Sequence, residues 1–400
     1  MMAAGTAAER GLSVLLIEPN PRLGKKLRIT GKGRCNVTNN CSVREFMEHV
    51  PQNSRFLYSA LTAFSPESVM AFFEALGVPL KTERGNRVFP VSDSAHDIAD
   101  ALAAWMKRQG VTVMKSSVRE ILTDETGAVR GVKTDKGEIP CAAAVICTGG
   151  ASYPATGSTG DGYAMARSLG HTVIPPAASL VPLECREEDC AELAGFSPRN
   201  VTLTVLENGK PIYKELGEML FAHFGVTGPL VLSASAHMRR LGEADYALSI
   251  DFKPALDEEK LDARILRDLA KFQNRDMQNA LAELAPRSLI PPLLRRSGIP
   301  PHTKANSVTK QQRRALLAAL KSFALTVTGT RPVADAIVTR GGVSVKEINP
   351  RTMQSKLVPG LYFAGEVLDA DAYTGGFNLQ IAWATGRCAG ACVGKEEEHG

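Results

Sequence analysis

The residues best suited to chemistry in this chain are gathered in a few short runs. Residues 30–39 set Gly31 and Gly33 among Lys32, Arg34, Cys35, Asn36, Thr38 and Asn39. Two glycines let backbone approach a ligand closely. The cations suit phosphate or the anionic edge of a flavin, and the amides and hydroxyl supply short polar contacts. A plain polar turn is the alternative. Glu18 closes the apolar run Val14, Leu15, Leu16 and Ile17. A carboxylate at the end of such a strand accepts from the hydroxyls of an adenosine ribose, or is simply solvated. Thr148, Gly149 and Gly150 follow a second apolar run, and Gly157, Gly160, Asp161 and Gly162 open a second Gly-rich loop. Together they suit a loop passing a nucleotide, or a pair of ordinary turns. Gly365, Glu366 and Asp369 follow a third apolar run, and Gly375, Gly376 and Asn378 open a helix. Asp369 can bind a polyol such as ribityl, and a helix N-terminus suits negative charge.

Three residues are candidates for proton transfer or redox work. His223 lies in a tight turn where it can donate a proton near neutral pH or be structural. Tyr373 is a second possible acid or a packing residue. Cys35 invites a redox role, but the eight cysteines contain no CxxC pair and no zinc-site spacing, so packing beside a ligand is the simpler reading. A reducing, cytoplasmic compartment fits this cysteine usage. The net charge of +5 is mild. It is concentrated in residues 263–314, with eleven Lys and Arg against three Asp and Glu. That excess suits a nucleic-acid surface or a solvated helical face.

These residues need a scaffold. The 400 residues, 44% apolar and 22% charged, match a globular chain and exclude disordered, collagen-like and coiled-coil classes. No apolar run is long enough to span a membrane. Residues 1–10 are Ala-rich and helical, and the run to Glu18 reads as a buried parallel strand. Ser65 and Pro66 cap a helix over 66–76, and 95–109 is helical. Strands are expected at 111–114, 132–134, 142–147 and 361–366, and a last helix at 378–394. Alternating residues 201–205 and 246–252 suggest half-exposed strands of a barrel or sandwich. Residues 258–320 are mostly helical. The sequence therefore describes an α/β domain split along the chain, with an inserted β-barrel-like domain and a helical subdomain. The expected boundaries are 1–180 and 339–400 for the α/β domain, 181–256 and 323–338 for the β domain, and 257–322 for the helices.

On these runs the chain resembles the bacterial NAD(P)/FAD-dependent oxidoreductases of the aminoacetone oxidase-like type. That family includes a 3-dehydro-bile-acid Δ4,6-reductase and a 23S ribosomal RNA dihydrouridine synthase. Residues 15–39, 88–92, 148–162, 218–229, 339–343 and 363–386 carry the likeness, with 31–39 and 373–382 the most specific. The resemblance implies FAD in a Rossmann-like domain. Glu18 would take the adenosine ribose and Val118 the adenine. Lys25, Gly31, Gly33, Arg34, Cys35, Asn36 and Thr38 would line the flavin and phosphate side. Thr148, Gly149, Gly150, Gly160 and Asp161 would follow the dinucleotide. Gly365, Glu366 and Asp369, with Gly376, Asn378, Leu379 and Gln380 at the helix start, would hold ribityl and the flavin pyrimidine. It also implies a strand and a Gly-rich turn ahead of Met1, both missing from this sequence, so that FAD affinity is expected to suffer. The expected activity is hydride delivery from flavin N5 to an activated C=C bond, with NADH or NADPH as a transient reductant. The substrate would be a small enone or uridine-containing RNA, the latter held through the basic helical insert. A flavin-binding chain without turnover is the remaining alternative.

Overall fold

The computed structural model describes residues 1–395 of the chain; residues 396–400, including part of the acidic tail and of the expected 339–400 segment, lie outside the described residues. The chain forms two units. One combines residues 1–179 with residues from Pro332 onward, and the other is Leu180–Arg331.

In the first unit, the helix Met2–Glu9 leads into the strand Leu15–Glu18, as the Ala-rich start and the apolar run require. That strand pairs in parallel with Thr112–Lys115. The strand Ala144–Ile146 pairs in parallel with Leu361–Phe363. Each pair is a separate two-stranded sheet. Parallel strands in a dinucleotide fold are normally covered on both faces; here Leu15 and Val113 are exposed. The helix Pro66–Ala75 starts where Ser65 accepts from Ser68 N at 3.2 Å, with Pro66 in its first turn. The helix Ala95–Arg108 buries Ile98, Leu102 and Met106. The last helix, Phe377–Cys392, runs beside Met2–Glu9. Gly390 makes that approach possible, because a methyl there would strike the Ala3 carbonyl.

The second unit holds an antiparallel sheet of seven strands, whose edge strands are Lys210–Gly217 and Leu220–Ala222. The expected barrel-like closure is corrected by this order: the two edge strands do not pair with one another, so the sheet stays open. Alternation at Val201–Glu207 buries Val201, Leu203 and Val205, as period-two patterning dictates. The helices Glu258–Lys271 and Lys310–Lys321 share the core of this sheet, with Leu261, Ile265, Leu316 and Leu320 among Leu248, Ile250 and Phe323. Asp257 caps the first of these helices, and a Thr309–Gln312 capping box starts the second. Among the described residues, no helix is long and apolar enough to cross a membrane.

Candidate functional site

The run 30–35 is an unusual stretch of backbone. Gly31, Lys32, Gly33 and Cys35 all take positive φ, a conformation that glycine adopts freely and other residues adopt at a cost. The turn carries the chain to Thr38 and Asn39, which meet the start of the last helix. Thr38 Oγ1 donates to Gln380 Oε1 at 2.7 Å, and Gln380 Nε2 donates to Phe64 O at 2.7 Å. Asn39 Nδ2 donates to Gly375 O at 3.1 Å, and Trp383 Nε1 to Val37 O at 2.9 Å. A side chain at Gly376, where φ is 99°, would collide with the Thr38 carbonyl. The two motifs 31–39 and 373–382 are thus one packed junction. Thr38 and Gln380 are fully buried and satisfy each other. Asn378 fastens the preceding loop, accepting from Ala372 N and donating to the Ala372 and Tyr373 carbonyls. Tyr373 packs edge-on against His49, which stacks on Phe377.

The helix itself begins without a side-chain cap. The first amides of a helix have no partner within it. Those of Phe377, Asn378 and Leu379 therefore present the positive end of a 16-residue dipole.

A second centre ties the remaining runs together. Glu366 accepts from Lys26 Nζ at 2.7 Å, Thr339 N at 2.8 Å and Ser152 Oγ at 3.2 Å. Thr339 Oγ1 in turn accepts from Ala151 N and Ser152 N at 2.8 and 3.0 Å. Gly150 must lack a side chain here, since a Cβ would lie 2.5 Å from Thr339 Oγ1. Asp369 is buried and accepts from Asn53 Nδ2 at 3.0 Å. At the far end, Glu18 accepts from Asn20 N and Nδ2 at 2.9 and 2.7 Å, and Asn20 also donates to Thr156 O at 3.0 Å. The 154–160 loop therefore lies against the end of the first strand, and Gly157 is where it passes Asn20.

The other expected residues have the following surroundings. Arg34 is engaged by Glu83 and Asp93, with its guanidinium over Phe89 at 4.1 Å. Lys25 is exposed, and its neighbour Lys26 makes the internal contacts. Cys35 is fully buried, and burial pushes its thiol up to about 12; such a thiol stays neutral at physiological pH. His223 is an exposed turn residue of the Leu180–Arg331 unit, edge-on to Phe224. Val118 begins the strand Val118–Thr123. Gly160 caps the helix Asp161–Ser168, and Asp161 is exposed.

Two candidate residues carry buried polar atoms with no hydrogen-bond partner among the described residues: Asn36 Oδ1 and Thr148 Oγ1. Native proteins rarely leave such atoms unpaired. Orphaned acceptors and hydroxyls, an uncapped helix start and a Gly-lined approach fit an elongated nucleotide with many oxygens. Residues that would hold FAD are Glu18 at the ribose end, Thr148 to Gly150 along its length, Asp369 at the polyol, and the amides of 377–379 at the flavin. Lys26, Ser152, Thr339 and Asn53 were missed at the sequence level. Ser152 and Thr339 lie inside family-like stretches, but spacing alone carries no sign that Glu366 joins them.

Residues 1–392 match the HI0933-like protein Rossmann domain family. The chain is 31% identical to the 3-dehydro-bile acid delta(4,6)-reductase of Clostridium scindens, covering 97% of this chain and 94% of that protein. It is 32% identical to the ribosomal RNA dihydrouridine synthase of Escherichia coli, covering 98% and 94%. Among solved structures, a 3-ketosteroid-delta4-(5alpha)-dehydrogenase from Rhodococcus jostii RHA1 matches in fold, with a TM-score of 0.50 at 15% identity over 99% of this chain and 94% of that one. The family match spans the orphaned atoms, the Glu366 centre and the helix start alike, and the chain belongs to the HI0933-like Rossmann-domain family of FAD-dependent oxidoreductases.

Proposed function

We propose that the chain is an FAD-dependent reductase acting on an activated C=C bond, with NADH or NADPH as a transient reductant. Bound FAD supplies the hydride, from N5, once reduced. The chain's own residues bind and orient the cofactor. The observation that carries this reading is the uncapped start of Phe377–Cys392, locked against 37–39 by Thr38, Asn39 and Gln380. A fixed, positive helix end is what stabilises negative charge on a ring without reorganising at each turnover. The reductase named in Clostridium scindens supports the reaction class. The test is anaerobic mixing of the FAD-loaded protein with NADH and NADPH. Bleaching of the flavin absorbance by either supports the reading; a flavin that neither reduces contradicts it and favours a binding role without turnover.

A second reading is reduction of uridine in ribosomal RNA, as named for the Escherichia coli relative. A specific observation favours it. Of the eleven cations in 263–314, Arg264, Lys271, Arg295, Arg296, Lys304 and Arg313 are paired with acids. Arg267, Arg275, Arg287, Lys310 and Arg314 are exposed and make no ion pair among the described residues. Neutralising those five as Gln leaves the unit's ion pairs intact. The reading expects salt-sensitive binding of ribosomal RNA that this variant loses, with a shallower salt slope. RNA affinity and slope equal to wild type would refute it.

A further inference from the structure

Cys388 and Cys392 lie at the end of the last helix, and the flavin reading uses neither. Their spacing of four signals nothing in the sequence until a helix sets both on one face. Both are half-buried, so small solutes can reach them. Cys388 Sγ donates to Arg351 O at 3.1 Å, and Cys392 Sγ lies 3.7 Å from the same oxygen. Each sulphur is also a hydrogen-bond neighbour of the other. Two thiols and a carbonyl therefore converge on one point.

The surroundings hold them there. The Arg351 carbonyl belongs to a closed turn, in which Asn349 Oδ1 accepts from Arg351 N at 2.9 Å and Asn349 O from Met353 N at 2.8 Å. Arg10 Nη1 donates to Gly390 O and Val393 O at 3.1 and 2.6 Å, and Val393 N donates to Ala389 O at 2.8 Å. These bonds close the last turn of the helix. The guanidinium also sets a positive charge on that turn, which offsets the charge of thiolates beside it.

The geometry selects the partner. Residues four apart on a helix have Cβ atoms about 5–6 Å apart, whereas a disulfide needs about 3.5–4.5 Å. The pinned turn thus resists a disulfide. Structural zinc takes four ligands, and among the described residues no group of three or more His, Cys, Asp or Glu is placed to hold a metal. A soft monovalent ion asks for less. Metal–sulphur bonds of about 2.3 Å put two thiolates about 4.6 Å apart across it, a separation the helix spacing allows. Cu(I) prefers such ligands. Cys185 also adjoins Cys190, but Cys190 is 1% exposed, which leaves an ion no entry.

We propose that Cys388 and Cys392 form a two-coordinate site for a soft, thiol-seeking cation, Cu(I). Each thiol releases its proton to solvent and gives a sulphur lone pair to the ion. Copper stays Cu(I), and no electron moves. The site stands apart from the FAD reading and does not depend on it.

The test loads the full chain, reduced and anaerobic, with Cu(I) and challenges it with graded bathocuproine disulfonate, a Cu(I) chelator. Protein-bound copper is measured after desalting for wild type, Cys388→Ser, Cys392→Ser and Cys185→Ser. The expected result is one copper per chain in wild type and in Cys185→Ser. Affinity in the other two falls about 10²- to 10⁴-fold, because a single thiolate loses the gain of two ligands held together. Circular dichroism without copper checks that each variant folds, and Cys388→Ala or Cys392→Ala replaces one that does not. A wild-type chain that surrenders copper as readily as Cys388→Ser overturns the inference. So does a loss confined to Cys185→Ser, which would place the ion at the other pair.

Discussion

Replacing Glu366 should loosen the first unit more than any single exposed acid, and the size of the effect follows from its contacts. The carboxylate accepts from an ammonium, a backbone amide and a hydroxyl. Its partners Thr339 and Ser152 are buried, so the Thr339 amide and Ser152 hydroxyl lose a partner where solvent has little access. A buried ion pair broken on one side costs about 3–5 kcal/mol. The side chains of Lys26 and Glu366 are 25% and 20% exposed, which lowers the ammonium's share. We expect about 3 kcal/mol for Glu366→Ala. Glu366→Gln keeps an acceptor for Thr339 N and loses only the charge, for about 1 kcal/mol. The chain has two tryptophans, and Trp105 and Trp383 both lie buried in the first unit. Their fluorescence during urea unfolding therefore reports on that unit alone. The measurement is made without FAD, so that a binding role of Glu366 does not enter. A Glu366→Ala midpoint within about 0.5 kcal/mol of wild type would refute the centre as described. A double-mutant cycle with Lys26→Met should give a coupling of about 1 kcal/mol, and none if the pair is a bystander.

Other expectations follow from single positions. Gly376→Ala forces a Cβ into the Thr38 carbonyl at a positive φ, and should cost at least about 3 kcal/mol in the same assay; a neutral result would mean the junction is loose. Gly390→Val should separate the first and last helices and lower the midpoint by about 2 kcal/mol or more, read by the same tryptophans. Stability should also fall in acid through His171. Burial holds this imidazole below its ordinary pKa, against the pull of Glu347. Ser355 Oγ, which faces its Nε2 at 2.9 Å, already accepts from Leu357 N and Val358 N. Burial raises the Glu347 carboxyl, but bonds from Thr172 and His171 outweigh it and hold it below the usual range. Both groups bind more protons when unfolded, so stability drops as pH falls from about 6.5 toward and below 4.5. His171→Gln should flatten the upper part of that fall; an unchanged pH profile would contradict the assignment.

Local chemistry was legible where it acts locally. Ser65 and Pro66 announce a helix start because the cap needs no tertiary partner. The run into Glu18 and the alternation at 201–205 disclose strands because one period decides burial. The Gly376 turn was legible for the same reason. Destinations of long side chains were not. Lys25 and Lys26 are indistinguishable in sequence, and only the turn through Gly24 aims the second at Glu366. Arg34 looks made for phosphate, but acids 49 and 59 residues away engage it. The open sheet of the second unit depends on which strands form the edges, and alternation is blind to that.

The central claim is that this chain holds a flavin. Its most direct test is the visible absorption spectrum of the purified protein after incubation with FAD and removal of free ligand by gel filtration. The account predicts protein-bound flavin approaching one per chain at saturation, its visible absorbance eluting with the protein. Colourless protein, with all the FAD in the free-ligand fraction, would contradict it.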